Sequence, residues 1–168
     1  VSRKAFNIDG VGPKIIDQLM DAALIHDAAD LFTLKKDDLL NLERFAEKSA
    51  ENTVKALRDK KKVPLNKFIY SLGIDHVGEE TALALAKFAI AKLKVKSEKL
   101  KVKELIYFFE HTNLEELQNI PDIGPVVAQS IYDWFQRPYN KKLLGKFEKA
   151  GIELKVEKFS ANSEKLAG

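Results

Sequence analysis

The chain has 168 residues, of which 45% are hydrophobic and 32% charged, and its formal net charge is +3. This length suits one ordinary domain or two small ones, and the absence of cysteine excludes disulfides and thiolate zinc sites in this segment. No apolar run approaches the roughly 18–20 residues of a membrane span, and residues 1–4 lead into no signal-peptide core, so we expect a cytoplasmic protein.

In chain order, the first predicted element is a tight turn that opens a helix, over residues 8–16. The same pattern returns at residues 42–50, 74–82 and 120–128: an apolar residue, two variable residues, an apolar residue, a small residue and then a helix. The small residues are Gly12, Ala46, Gly78 and Gly124, at spacings of 34, 32 and 46. The longer third spacing places an expansion at about residues 89–102.

Local chemistry supports a helix after each turn. Proline, which is favoured at the first helical position, follows the glycine at Pro13 and Pro125, and glutamate takes that position at Glu47 and Glu79. The glycines permit a positive φ or a close approach to the backbone. Residues 37–40, 67–74, 105–109 and 113–117 fit helices that precede the later hairpins, with Thr33 and either Asn113 or Thr112 as caps.

Strand signals are poor throughout the chain. The pattern therefore predicts an all-α fold of four tandem helix-hairpin-helix motifs, packed as two pairs, one with two and three with four. Trp134 and Phe135 follow the fourth turn at helical spacing and are expected in the core.

Positive charge is concentrated in the expansion. Residues 89–102 carry five lysines against Glu98, a local +4 that leaves −1 on the rest of the chain. This stretch is interpreted as a solvated helix face or loop, an added DNA contact, or a partly disordered segment. Bulk basicity therefore does not indicate nucleic-acid binding, and DNA would have to be held by placed groups.

Each hairpin is predicted to form a phosphate site. A glycine that opens a helix leaves backbone N–H groups free at the positive end of the helix dipole, and these bind a phosphate without reading a base. The candidate DNA-binding residues are Gly10, Gly12, Lys14, Arg44, Ala46, Lys48, His76, Gly78, Gly124 and Val126. Auxiliary contacts are assigned to Arg3, Lys4, Lys60, Lys61 and Lys62.

Structural interpretations stand beside this one. Some hairpins could be helix turns only, above all the second, where Ala46 replaces glycine. Asp9, Asp75 and Asp122 fit turn-holding roles, and Glu79 and Glu80, being adjacent on a helix, do not face each other as a catalytic pair would. The three histidines are scattered, so no metal site and no catalytic residue is expected.

The motifs resemble a known family. Residues 1–14, which include Phe6-Asn7-Ile8-Asp9-Gly10-Val11-Gly12-Pro13-Lys14, resemble the first helix-hairpin-helix motif of bacterial NAD-dependent DNA ligases. Residues 42–50, 71–82 and 120–131 resemble the second, third and fourth, and Arg137-Pro138-Tyr139-Asn140 extends the match. Two departures are Ala46, where the family usually has glycine, and the longer, more basic stretch 89–102.

The resemblance implies a non-catalytic DNA-binding fragment of an enzyme that seals nicks in replication and repair. It implies no cofactor in the fragment itself, with NAD, magnesium and zinc bound by other domains of the parent. The implied organisation is motifs one and two over 1–63, motifs three and four over 64–152, and a linker toward a BRCT domain over 153–168. Expected partners are duplex or nicked DNA and the other ligase domains, in a monomeric, cytoplasmic, nucleoid-associated bacterial protein with no membrane contact.

Two other functions remain open from the sequence alone. One is a helix-hairpin-helix domain of a repair nuclease or junction-binding protein, and the other is a helical protein-interaction module whose hairpins are only turns.

Overall fold

The structure, a computed structural model, describes residues 11–157. Within this range the polypeptide forms nine α-helices, one 3-10 helix and three short strands. The helices are α1 (Pro13–Asp21), α2 (Lys36–Leu40), α3 (Glu47–Asp59), α4 (Leu65–Ser71), α5 (Glu79–Lys92), α6 (Val102–Glu110), α7 (Leu114–Gln118), α8 (Pro125–Gln136) and α9 (Pro138–Lys149), and the 3-10 helix is Ala28–Thr33. The strands are β1 (Lys62–Pro64), β2 (Lys99–Lys101) and β3 (Glu153–Lys155).

The predicted helical repeat is confirmed where the chain is described. Helices α1, α3, α5 and α8 begin directly after Gly12, Ala46, Gly78 and Gly124. Helices α2, α4 and α7 precede the second, third and fourth hairpins. The all-α prediction is therefore correct in the main, whereas the packing of the motifs as two pairs stays a prediction.

Helix caps agree with the sequence at one predicted site and differ at another. The Asn113 carboxamide accepts a hydrogen bond from the Glu116 amide at 2.8 Å and so caps α7. Thr33 does not cap α2: it is the last residue of the 3-10 helix, and its hydroxyl donates to the Asp30 carbonyl. The residue at the N-cap position of α2 is Lys35.

A three-stranded sheet, which the sequence did not predict, joins segments that are far apart in the chain. Strand β3 lies in the middle, parallel to β1 and antiparallel to β2. Val63, Leu154 and Leu100 pair across the sheet, and all three side chains are buried. The Lys-rich expansion therefore ends in a strand, and residues 153–155 of the predicted linker are part of the folded structure.

Helix α9 packs against both the 3-10 helix and α4. Phe147 on α9 lies 5.1 Å from Phe68 of α4 and 6.5 Å from Phe32 of the 3-10 helix, measured between ring centroids. The Lys146 ammonium forms ion pairs with Asp27 at 2.7 Å and Asp30 at 2.8 Å. The buried residues form one continuous core, which also contains Trp134 and Phe135 as predicted.

Candidate nucleic-acid interface

The second, third and fourth hairpins share one backbone turn. In the third hairpin the Val77 amide donates to the Ile74 carbonyl at 3.1 Å, and His76 before it has a φ of 66°. In the fourth, Ile123 donates to Ile120 at 3.0 Å, and Asp122 has a φ of 70°. A positive φ at the third residue of such a turn is the arrangement of type II.

The second hairpin has the same turn with a weaker bond. The Phe45 amide lies 3.4 Å from the Leu42 carbonyl, and Arg44 has a φ of 74°. Gly10 holds the equivalent sequence position in the first hairpin and lies outside the described residues. The left-handed residue is therefore two positions before the small residue, at a place where sequence reasoning did not expect it.

The glycines that open the helices do not require a positive φ. Gly12, Gly78 and Gly124 have φ values of −82°, −87° and −86°, with extended ψ, and Ala46 has nearly the same conformation at −101°. A Cβ added to any of the three glycines would meet no atom within 4 Å. Neither backbone strain nor packing inside the protein therefore requires glycine at these positions. Close approach of a ligand to the backbone would require it.

The backbone amides in the first helical turn at Gly78 and Gly124 form candidate anion-binding sites. Among residues 11–157, no acceptor is paired with the amides of Gly78, Glu79 and Glu80, or with those of Gly124 and Val126. Glycine at these N-cap positions has no side chain with which to cap the amides. Free amides at a helix N-terminus favour a negatively charged ligand.

The Ala46 amide of the second hairpin is satisfied within the chain. The Ser49 hydroxyl accepts a hydrogen bond from the Ala46 amide at 2.9 Å and donates to the Ala46 carbonyl at 3.0 Å. Sequence reasoning missed Ser49, although a serine three residues after a non-capping alanine is a usable signal. An amide that the chain itself occupies is a poorer donor to a phosphate.

Charges around the second hairpin are also paired within the protein. The Lys36 ammonium contacts Glu47 at 2.6 Å and Glu51 at 2.9 Å. The hydrogen bond that Lys36 donates to Glu47, reinforced by the one to Glu51, raises the pKa of Lys36 above its ordinary value, and the same contact lowers the pKa of Glu47. Lys48 beside them is exposed and stays available to an anion.

Side-chain charge differs among the glycine hairpins. Lys14 is exposed in the first turn of α1, whereas Glu79 and Glu80 are exposed in the first turn of α5 and would repel an anion there. His76 is exposed in the third turn. At the fourth hairpin, Val126 keeps 66% of its surface exposed. Backbone amides rather than a uniform basic surface are the common feature.

Three of the predicted auxiliary residues lie far from the second hairpin. Lys60, Lys61 and Lys62 follow the C-terminal end of α3, whereas the second hairpin lies at its N-terminal end. A helix of 13 residues is about 20 Å long, so these lysines are distant from that hairpin. Arg3 and Lys4 lie outside the described residues.

Comparison with known proteins fits this geometry. A SAM-like helix-hairpin-helix tandem model matches residues 3–59, and a helix-hairpin-helix motif model matches residues 105–144. Helix-hairpin-helix models thus match the chain over these two ranges.

Relatives over the full chain are more specific. A protein named DNA ligase from Halothermothrix orenii is 42% identical over 99% of the chain, and DNA ligases from Desulfitobacterium hafniense and Bacteroides fragilis are 42% and 41% identical over all of it. The chain covers 23%, 23% and 24% of these three proteins. It is homologous over its whole length to a helix-hairpin-helix segment of DNA ligases and spans about a quarter of their length.

Residues 11–157 contain neither a candidate membrane span nor a candidate metal cluster. No helix within residues 11–157 has both the length and the apolar character that a membrane span needs. The same residues contain no group of three or more His, Cys, Asp or Glu side chains placed to hold a metal ion.

Proposed function

We propose that this chain is the DNA-binding segment of an NAD-dependent DNA ligase and that it binds duplex DNA by the phosphate backbone, without reading sequence. One observation carries the proposal: an extended, unobstructed glycine opens a helix at Gly12, Gly78 and Gly124, and the first-turn amides at Gly78 and Gly124 are free. Amides at a helix N-terminus bind phosphate oxygens, and phosphate contacts carry no sequence information.

The roles of the side chains follow from their positions. Lys14 and Lys48 supply positive charge in the first turns of α1 and α3, and Arg44 and His76 supply donors from the turns themselves. Val126 contacts the sugar edges that flank a phosphate, which gives its exposed apolar side chain a partner. Gly10 completes the first hairpin, and Ala46 marks the weakest of the four sites because its amide is occupied.

The parent enzyme supplies the rest of the reaction. Adenylation by NAD, and the binding of magnesium and zinc, are assigned to parts of the ligase outside this segment, and nick sealing in replication and repair is the activity of the whole. The segment itself is a non-catalytic, monomeric, cytoplasmic binding module. Similarity to DNA ligases over the length of this chain favours this role over that of a nuclease, junction-binding or protein-interaction domain.

Fluorescence anisotropy tests the proposal. The chain is titrated against labelled intact duplex, nicked duplex and single strand over a series of salt concentrations. If about four to six phosphates are contacted, the logarithm of the duplex affinity should fall with the logarithm of salt at a slope of roughly −4 to −5. Duplexes of unrelated sequence should bind equally, and an absence of duplex binding at low salt would refute the proposal.

A further inference from the structure

The outer face of the three-stranded sheet is basic. Because side chains alternate along a strand and Val63, Leu100 and Leu154 point into the core, their neighbours point outward. Lys62 and Lys101 both pair with Glu153, and Lys99 pairs with Lys155 in the next row. The sheet face is thus defined by Lys62, Pro64, Lys99, Lys101, Glu153 and Lys155.

This sheet face concentrates the chain's positive charge. Its four lysines and one glutamate give a net charge of +3, which equals the formal net charge of the whole chain. Lys99 lies 3.5 Å from Glu153, whereas Lys62, Lys101 and Lys155 form no ion pair among residues 11–157. Lys60, Lys61 and Lys96 lie just before β1 and β2, and the rim carries Glu98 and Glu157.

The sheet lies at the opposite end of the helices from the hairpins. Strand β1 follows the C-terminal end of α3, and β2 follows that of α5, while the second and third hairpins open the N-terminal ends. Helix α9 runs the same way: Arg137 and Tyr139 at its start line a groove with Gly73 and Asp75 of the third hairpin, and β3 follows its end. With 14 residues in α5, the separation is about 20 Å.

From this placement we propose that the sheet face is a second DNA-binding surface, which takes the phosphate backbone of a duplex segment other than the one on the hairpins. Lysine is a compact, strongly hydrated charge that suits a phosphate backbone. Protein interfaces instead are enriched in arginine and aromatic residues and depleted of lysine. The sheet face holds lysines with no arginine and no aromatic residue, so charge and composition both match a polyanion.

Lysines on edge strands have another known use. Strands β1 and β2 are the two edges of this sheet, and charged side chains on an edge prevent strands of separate molecules from pairing. If the lysines have that role, neutralising them should cause the protein to self-associate and should leave DNA binding unchanged. The two roles therefore give different results in one experiment.

The test compares the full chain with two variants of equal net charge. Lys62→Gln/Lys101→Gln/Lys155→Gln neutralises the sheet face, and Lys55→Gln/Lys87→Gln/Lys142→Gln removes three exposed lysines from helices α3, α5 and α9. Each is titrated at low salt with a labelled duplex of about 12 base pairs, near the length of one helical turn. Sedimentation velocity reports how many duplexes each chain binds, and the anisotropy salt series reports the slope.

We expect two duplexes on the wild-type chain and on the control, and one on the sheet-face variant, whose hairpin-bound duplex keeps its salt slope. Substituting the same three lysines with arginine should restore the second duplex. Equal stoichiometry in the sheet-face variant and the control would overturn the inference, as would self-association of the sheet-face variant with DNA binding unchanged.

This surface adds to the hairpin function and does not depend on it. A Gly12→Ser/Gly78→Ser/Gly124→Ser variant should lose the hairpin duplex and keep the sheet-face duplex. If the sheet face does not bind DNA, the hairpin-bound duplex is still observed. If the hairpins do not bind DNA, the triple glycine variant binds as many duplexes as the wild type. The two failures are therefore distinguishable.

Discussion

At the scale of single residues, the left-handed positions and the glycines have separate tasks. Arg44, His76 and Asp122 have positive φ and make the turn, while Gly78 and Gly124 are extended and contact nothing that a side chain would displace. The sequence showed which residues form the hairpin but not which of them has the positive φ, because arginine, histidine and aspartate are not strong signals for it.

Serine at the glycine positions should separate stability from binding. Gly78→Ser and Gly124→Ser place a hydroxyl that caps the first-turn amides, as Asn113 caps α7. Because serine is a better N-cap than glycine, we expect stability to be unchanged or higher by a few tenths of a kcal/mol. DNA affinity should fall about tenfold per site, since a charge-assisted hydrogen bond is lost. Urea unfolding and anisotropy measure the two effects.

Gly145 provides the matched control. It lies within α9, and a Cβ there would also meet nothing within 4 Å. Gly145→Ser should leave DNA affinity unchanged. If Gly124→Ser binds DNA as tightly as the wild type, the free amides at that hairpin are not a phosphate site.

At the scale of elements, the helices were readable from the sequence and the strands were not. Apolar residues at helical spacing mark α5 and α8 within their own segments. Each strand is three residues long with one buried side chain, and partner residues lie up to 91 positions apart, as between Lys62 and Glu153. A single apolar residue between lysines shows no period, so only the tertiary contact reveals the sheet.

Leu154 should be the main anchor of that sheet. It is fully buried in the central strand, between Val63 and Leu100. Leu154→Ala should lower the free energy of unfolding by about 2–4 kcal/mol through lost burial and the cavity left behind. Lys155→Ala, at an exposed position on the same strand, should cost less than about 0.5 kcal/mol. Similar losses in both variants, by urea unfolding, would mean that β3 does not stabilise the fold.

The contact between α9 and the 3-10 helix should depend on pH. Burial raises the pKa of Asp30, but the hydrogen bond from Lys146 and the amides of His26 and Asp27 outweigh it, so the net shift is downward. A carboxyl with a lowered folded-state pKa stabilises the fold above its unfolded pKa, near pH 4, and that stability is lost as the pH falls through the folded value.

Lys146→Met removes the ion pair and keeps much of the side-chain volume. We expect it to cost about 1–2 kcal/mol at pH 7 and progressively less below about pH 4. Lys142→Met, on an exposed face of α9, should show no such pH dependence. Thermal unfolding across pH 3–8 makes the comparison, and a constant difference between Lys146→Met and the wild type would contradict the role of the ion pair.

At the scale of the whole molecule, the repeat explains the helices and the sheet explains how the ends of the chain meet. Residues 1–63 and 64–152 were expected as separate units, a division that stays a prediction. Strand β3 pairs with β1, which spans the boundary between the two ranges, and with β2 from the second, and Phe147 packs on both Phe32 and Phe68. The hairpins could be located from the sequence because each is a short, continuous segment. The hydrogen bonds between Ser49 and Ala46, and the distance from the second hairpin to Lys60–62, depend on the folded chain.

The central claim is that backbone amides at the glycine hairpins bind DNA phosphates, and amide chemical shifts report each of them directly. In a nitrogen–proton correlation spectrum titrated with a short duplex, we predict the largest shifts at Gly12, Gly78, Gly124 and Val126. The Ala46 amide, which Ser49 already engages, should shift least among the hairpins. Shifts confined to lysine-bearing surfaces, with the glycine amides unmoved at saturation, would contradict the account.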